Sequence, residues 1–319
     1  MKELTLQEIA LLLQQKDNIL VLMHKSPDGD AVGCAYGICM ALRKLGKNCM
    51  PVCSDPIPSK YEYITSKLPP QEFEPAFIMT VDIADTQLFG EKTAVYQDRV
   101  DLCIDHHFSN TGFAKEGYVD GKSGACAEII AKIIELAGVE IDQDIANAIF
   151  TGISTDTGCF KYSNASSQSY RIAADMIDKG ADSAYINRIM FDTKSRQRLE
   201  IERLVLDSLE FFEEDKIAAV CITKEMMQKS GAADDDTDGI AGLPRQIEGV
   251  KIGLTLNEKD SGVFKVSCRS AGDVDVSGIC RCFGGGGHKA AAGCVINAPY
   301  EEAKQRLVDA ARKALKGEL

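Results

Sequence analysis

The sequence predicts an α/β protein. An N-terminal domain built on a parallel sheet, with helices on both faces, is joined by a helical connector to a smaller mixed α/β C-terminal domain. Three observations predict this. The 319 residues are too many for one ordinary core and suit two domains. The first half alternates apolar runs of strand length with helix-period stretches, the pattern of a parallel sheet with crossover helices. After a charged helical stretch, strand-length runs begin again. The division drawn is 1–192, a connector over 193–213, and 214–319.

Taken in order, "MKELTLQEIALLLQQKDN" interleaves acids and glutamines with apolar positions, which reads as an amphipathic helix and not a signal or transit peptide. Apolar runs at 18–23, 49–53, 76–82 and 100–105 read as strands. "AVGCAYGICMALRKLG" has helical period and closes on Gly46, a C-cap residue. From 123 to about 190 the pattern is mostly helical, and 193–212 continues as one charged helix. "KIAAVCIT", "VKIGLTLNE" and "GVFKVSCRS" are then strands. A helix from near Val274, a glycine run and a last helix from 299 follow. The acidic "ADDDTDG" (233–239) lacks EF-hand spacing and reads as a solvated loop.

Hydrophobic content of 45% and charged content of 26% are those of globular proteins, which argues against disorder. No apolar run approaches the ~20 residues a bilayer requires, so a cytoplasmic protein is expected, with no membrane partner. A net charge of −12 argues against broad contact with long duplex nucleic acid. It leaves room for a short phosphorylated substrate whose charge bound divalent cations offset. The twelve cysteines are scattered, without a CxxC, and read as buried thiols. Cys280, Cys282 and Cys294 flank the glycine run; packing behind it is the simpler reading, a soft-metal site the alternative.

Chemistry concentrates at the ends of the apolar runs. "HKSPDGD" places His24, Asp28 and Asp30 after the first, "TVDIADT" places Asp82 after another, and "VDLCIDHH" ends in Asp105, His106 and His107. "TGISTDTG" adds Asp156. In open α/β sheets ligands gather at the carboxyl ends of strands, so the first three groups converge without special assumption. Each aspartate alone is an ordinary cap or turn residue. Together they are not, because three of the protein's four histidines stand at these ends. Asp28, Asp30, Asp82 and Asp156 carry four negative charges, which two divalent cations balance. Oxygen-rich ligation with an imidazole per ion suits Mn2+, with Mg2+, Co2+ and Fe2+ as other candidates. A second constellation spans 267–293, where Gly284 to Gly287 precede His288 and Arg269 closes a strand. Glycine amides there would approach an anion closely, and Arg269 would pair with a phosphate or a base.

These motifs, in this order, resemble the DHH phosphoesterase superfamily with its associated C-terminal domain, over nearly the whole chain. The length, two-domain plan and "GGGGH" ending most resemble the nano-RNase type, oligoribonucleases that also remove phosphate from 3′-phosphoadenosine 5′-phosphate (pAp). The resemblance implies a metal-dependent enzyme, in which attack by a hydroxide held between two metals cleaves a phosphoester. It implies that His24, Asp28 and Asp82 hold one ion and that Asp30, Asp82, His106 and Asp156 hold the other. Asp105 would orient the ligand histidine and His107 would face the scissile phosphate. Arg269, Ser270, Gly285, Gly286 and His288 would clamp the terminal nucleotide. The expected substrates are short oligonucleotides, pAp or dinucleotides, with a homodimer as the candidate assembly. A cyclic- or linear-dinucleotide phosphodiesterase is the main alternative. A RecJ-like exonuclease, a family II pyrophosphatase and a non-catalytic nucleotide-binding module rank lower. All six candidate ligands are present, which favours catalysis.

Overall fold

The computed structural model describes residues 1–237, 239–272 and 274–319. The chain separates into two compact units, Met1–Thr193 and Lys194–Leu319. Among the described residues no helix is long and apolar enough to cross a membrane.

The first unit carries strands β1 (Lys2–Glu3), β2 (Ile19–Leu22), β3 (Cys49–Val52), β4 (Phe77–Val81), β5 (Leu102–Asp105) and β6 (Glu116–Val119). They form one sheet in the order β1-β6-β5-β4-β2-β3, with every neighbouring pair parallel. The strands at the centre are buried along their whole length, as a sheet covered on both faces requires. From β2 the chain steps outward to β3, then returns to lay β4 on the other side. That reversal opens a crevice at the carboxyl ends of β2 and β4.

The unit's helices are α1 (Leu6–Gln15), α2 (Gly29–Lys44), α3 (Glu62–Thr65), α4 (Cys126–Leu136), α5 (Gln143–Asp156), α6 (Ser167–Asp178) and α7 (Ser183–Asn187). Thr5 and Glu8 close a capping box on α1, and Asp28 caps α2. Gly46, with φ of 76°, takes the left-handed position past the end of α2 that the sequence assigns to it. Residues of α1, α2, α4 and α5 pack on Ile19, Val21, Met79 and Ile104. The opposite face, Leu20, Leu22, Ile78 and Cys103, meets Ile83, Phe89, Val100 and Ala114. Those residues lie in loops and short 3-10 turns (Thr86–Leu88, Ala94–Arg99). Helices thus cover one face, where the sequence reading expects them on both. The β4–β5 crossover is broken by 3-10 turns and offers no continuous helical stretch.

The second unit carries α8 (Arg196–Asp207), β7 (Glu210–Phe212), β8 (Ile217–Ile222), α9 (Lys224–Ser230), β9 (Ile252–Asp260), β10 (Val263–Ser270), α10 (Val276–Arg281), β11 (Gly286–His288), β12 (Ala291–Asn297) and α11 (Tyr300–Leu315). Its sheet runs β11-β12-β10-β9-β8-β7, antiparallel except for β8 with β9. Helices α10 and α11 bury the face bearing Leu254, Val266, Cys268 and Ile296. On the other face α8 packs Ile201 and Val205 against Val220 and Ile222 of β8. The stretch expected to be a connector helix is therefore anchored in this unit, and its last residues, 210–212, are a strand. The acidic stretch at 233–239 holds a 3-10 turn (Asp234–Thr237), and Asp238 lies outside the described residues.

Candidate metal centre

His24 follows β2, Asp82 follows β4, and Asp105 to His107 close β5, so the parallel strands deliver all of them to the crevice. Asp28 and Asp30 start α2 and Asp156 ends α5. Glycines set the approach of these two helices. A Cβ on Gly33 would lie 2.3 Å from the Ala148 carbonyl oxygen, and one on Gly152 would lie 2.7 Å from Asp30 Oδ1. A Cβ on Gly29 would strike Thr155 Oγ1 at 2.3 Å. The glycine of "DGD" thus serves helix packing.

Asp82 stands at the middle of the cluster. It is 3% exposed and has φ of 57°, a left-handed backbone that costs a non-glycine residue of order 1 kcal/mol. Its Oδ2 lies 3.7 Å from His24 Nε2, and its Oδ1 lies 3.5 Å from His106 Nε2. His24 Nε2 is also 3.7 Å from Asp28 Oδ1. His106 Nε2 is 3.6 Å from Asp156 Oδ2 and 3.9 Å from Asp30 Oδ2. Among the described residues three overlapping groups have all their donor atoms within 4.8 Å of one another: His24–Asp28–Asp82, Asp30–His106–Asp156 and Asp82–His106–His107. Asp82 belongs to the first and the third and faces His106 of the second.

The tautomers follow from the far side of each ring. His24 Nδ1 is 2.7 Å from the Lys25 carbonyl oxygen and His106 Nδ1 is 3.2 Å from that of Ser123. A carbonyl accepts only, so both Nδ1 atoms carry the proton and a neutral ring turns its Nε2 lone pair to the carboxylates. Buried His106 Nε2 and Asp82 Oδ1 have no hydrogen-bond partner. At His106 a lone pair facing carboxylate is repulsive until a cation lies between them. His24 differs: burial opposes its charge, but Asp28 outweighs burial and raises its pKa, which favours a proton on Nε2 while no cation is there. The donor set, four carboxylates and two imidazoles without a thiolate, suits divalent cations that accept oxygen and nitrogen.

The protonation pattern agrees. Burial, then repulsion by Asp30 and Asp28, pushes Asp82 well above the carboxylate range. Burial also raises Asp30, although Cys126 N–H (2.6 Å) and Ala127 N–H (2.9 Å) donate to it from the start of α4. Asp156, buried and facing Asp30, is raised to about 7. Asp28 goes the other way: burial would raise it, but His24 and two amides at the start of α2 outweigh that. Asp28 is therefore both the helix cap and a candidate ligand. The two readings of its motif are compatible.

Asp105 departs from the expectation that it orients His106. Its Oδ1 lies 2.7 Å from His107 Nδ1 and accepts the His106 backbone N–H, while Asn110 Nδ2 donates to Oδ2 at 2.7 Å. The His106 ring is held by the Ser123 carbonyl instead. The sequence reading missed Asn110, Ser123 and the α4 amides, which contribute through backbone groups or across loops. His107 is 43% exposed, and the bond to Asp105 raises its pKa.

In the second unit, Arg269, Ala291 and His288 stand opposite one another across β10, β12 and β11, on one face of the sheet. Arg269 Nη1 donates to the Cys268 carbonyl oxygen at 3.0 Å. Ser270 is buried and its hydroxyl donates to the Val274 carbonyl oxygen, pinning a turn. Gly285 donates its N–H to the Cys280 carbonyl oxygen, and a Cβ there would meet Gly293 O at 2.2 Å. Ser270 and Gly285 thus have structural work of their own. The glycine run, whose amides the sequence reading aims at an anion, continues as the edge strand β11 and leaves Gly286 and His288 exposed. Cys280 and Cys294 are buried and Cys282 is exposed, and no metal-ligand group forms among the described residues of this unit.

Residues 18–153 match the DHH family, N-terminal domain, and residues 215–317 match the DHHA1 domain. The bifunctional oligoribonuclease and PAP phosphatase NrnA of Thermus thermophilus is 33% identical over 306 residues, 93% of this chain and 90% of that protein. The chain belongs to the DHH family. Among solved DHH-like structures, an exopolyphosphatase-related protein from Bacteroides fragilis has a TM-score of 0.84 at 25% identity, covering 97% of this chain and 95% of that one. Exonuclease RecJ bound to manganese has a TM-score of 0.54 at 16% identity, covering 96% and 94%, a likeness of fold.

Proposed function

We propose that this protein is a metal-dependent phosphoesterase that degrades short oligoribonucleotides to mononucleotides and removes a phosphate from pAp. The observation that carries the reading is Asp82, strained and buried, its Oδ1 without a hydrogen-bond partner, with Oδ2 toward His24 and Oδ1 toward His106. His24, Asp28 and Asp82 would hold one divalent cation; Asp30, Asp82, His106 and Asp156 would hold its neighbour, with manganese as the native metal. When bound, such a pair lowers the pKa of water and offsets charge on the phosphoryl group.

The chain's own residues do the rest. Asp105 fixes His107 through Nδ1, which leaves Nε2 for substrate, and the bond to Asp105 raises the His107 pKa, which favours the protonated ring. His107 thus donates to a phosphate oxygen and then to the departing alkoxide. Asn110 holds Asp105 in place. Arg269 and His288 recognise the nucleotide. The substrate class is supported by the Thermus relative, a bifunctional oligoribonuclease and PAP phosphatase, of which this chain spans most of the length.

The test is a manganese-supplemented assay over short RNA, short DNA, pAp and cyclic dinucleotides, with Asp82→Ala alongside. Release of mononucleotide from RNA and of phosphate from pAp by the native chain alone is expected. No turnover of either substrate, or near-normal turnover by Asp82→Ala, would refute the assignment.

A further inference from the structure

Outside the metal centre, a groove of about 700 Å3 lies on the second unit's sheet, on the face away from α10 and α11. Along β10 it presents Lys265, Ser267 and Arg269, alternate residues of one strand and so on one side of the sheet. Gly293 and Val295 of β12 oppose Ser267 and Lys265 and form its floor. Lys259 closes one end.

Its charge is what singles it out. The chain has 48 acidic against 36 basic residues, yet the groove is lined by three cations and no carboxylate. Lys265 has no hydrogen bond or ion pair among the described residues, and Arg269 spends its bonds on backbone carbonyls. Lys259 stands 3.8 Å from Asp234, a loose surface pair that a phosphate can displace. From Arg269 to Lys265 the strand advances roughly 13 Å, at ~3.3 Å per residue, on the order of two nucleotide steps of an extended strand. The missing side chain at Gly293 and the exposed Val295 give bases an apolar surface between the cations.

We infer that this groove is a track for the backbone of a single-stranded oligoribonucleotide, continuing from Arg269 past Ser267 to Lys265 and Lys259. It rests on the phosphoesterase reading above and extends it: the protein grips substrates longer than two nucleotides, the phosphates beyond the terminal one meeting Lys265 and Lys259.

Binding and turnover test it separately. A fluorescein-labelled RNA tetramer is titrated by anisotropy in chelator, where no hydrolysis occurs, against the native chain, Lys265→Ala, Lys265→Glu and Lys265→Arg. Lys265 is exposed, so these variants fold. Lys265→Ala should weaken binding roughly three- to fivefold and lower the slope of log K against log salt by about 0.7, one phosphate contact on a single strand. Lys265→Glu should weaken it further and Lys265→Arg should restore it. In the manganese assay the KM ratio of tetramer to pAp should rise by the same factor. Native affinity and salt slope in both Lys265→Ala and Lys265→Glu would overturn the track, as would an equal effect on pAp. Displacement of the RNA by an acidic peptide of matched charge as readily as by unlabelled RNA would also overturn it. Lys265-dependent binding without turnover of any substrate would uphold the track and refute the enzymatic reading.

Discussion

Replacing Asp82 by Asn should stabilise the metal-free protein while removing its activity. Asn keeps the shape and tolerates the left-handed backbone at φ of 57°, so strain is unchanged. What changes is the charge on a buried oxygen without a partner, 3.5 Å from an imidazole nitrogen that also has none. The amide can donate to that nitrogen. Leaving a buried polar atom unsatisfied costs about 1–3 kcal/mol. A unit of this size shifts its Tm by about 2–4 °C per kcal/mol, so the chelated variant should melt roughly 2–12 °C higher. Asp82 has a raised native pKa, so its penalty is absent below the ordinary carboxylate range and grows as pH rises toward the native value. The gap should therefore be wider at pH 8 than at pH 5. With manganese the order should reverse, because saturation at 100-fold the Kd adds about 2.7 kcal/mol per site and the variant has lost the ligand both groups share. Thermal melts in chelator and across a manganese titration, at both pH values, measure all of this. A chelated variant at pH 8 that melts below the native protein would refute the claim that Asp82 is destabilising without a cation.

Other outcomes follow from the same geometry. Asp105→Asn removes the partner that raises His107, so the alkaline limb of the kcat/KM profile, where the donor loses its proton, should move to lower pH. Gly152→Ala places a methyl 2.7 Å from Asp30 Oδ1 and 2.6 Å from Ala127 Cβ; a loss of about 1–3 kcal/mol in denaturant melts and weaker manganese binding by calorimetry are expected. Asp156→Asn should flatten the fall in metal-free stability between about pH 4 and 7, since the native carboxylate titrates at about 7 and loses stability as pH rises to that value. Arg269→Ala or His288→Ala should raise KM with little change in kcat, by steady-state kinetics on pAp.

The parts legible in the sequence were those written in local pattern. Strand-length apolar runs located β2 to β5, and aspartate and histidine at their ends located the crevice, because a parallel sheet brings strand ends together. β1 and β6 were missed: β1 has two residues, and β6, Glu116–Val119, begins with a glutamate and a glycine and so makes no apolar run. The glycine run shows the opposite failure. Composition suggested amides free to meet an anion, whereas Gly286 and Gly287 pair to β12 as a strand, and a backbone hydrogen-bond register leaves no mark on residue type. The partner of Asp105 was illegible for a related reason. The two adjacent histidine rings lie with centroids 4.5 Å apart, and which one meets Asp105 depends on loop geometry that Ser123 and Asn110 complete.

The contact between α2 and α5 has a consequence for how the site ages and evolves. Asp30 and Asp156 sit on two helices that meet backbone against backbone at Gly33 and Ala148, with Thr155 and Ile149 seated on the glycines at 29 and 37. A core substitution elsewhere can drain stability while leaving the gauge between the two carboxylates unaltered, because nothing compressible separates them. The first unit can thus drift in sequence across its hydrophobic layer and stay in register with its ions, while any residue larger than glycine at position 33 would change the gauge directly.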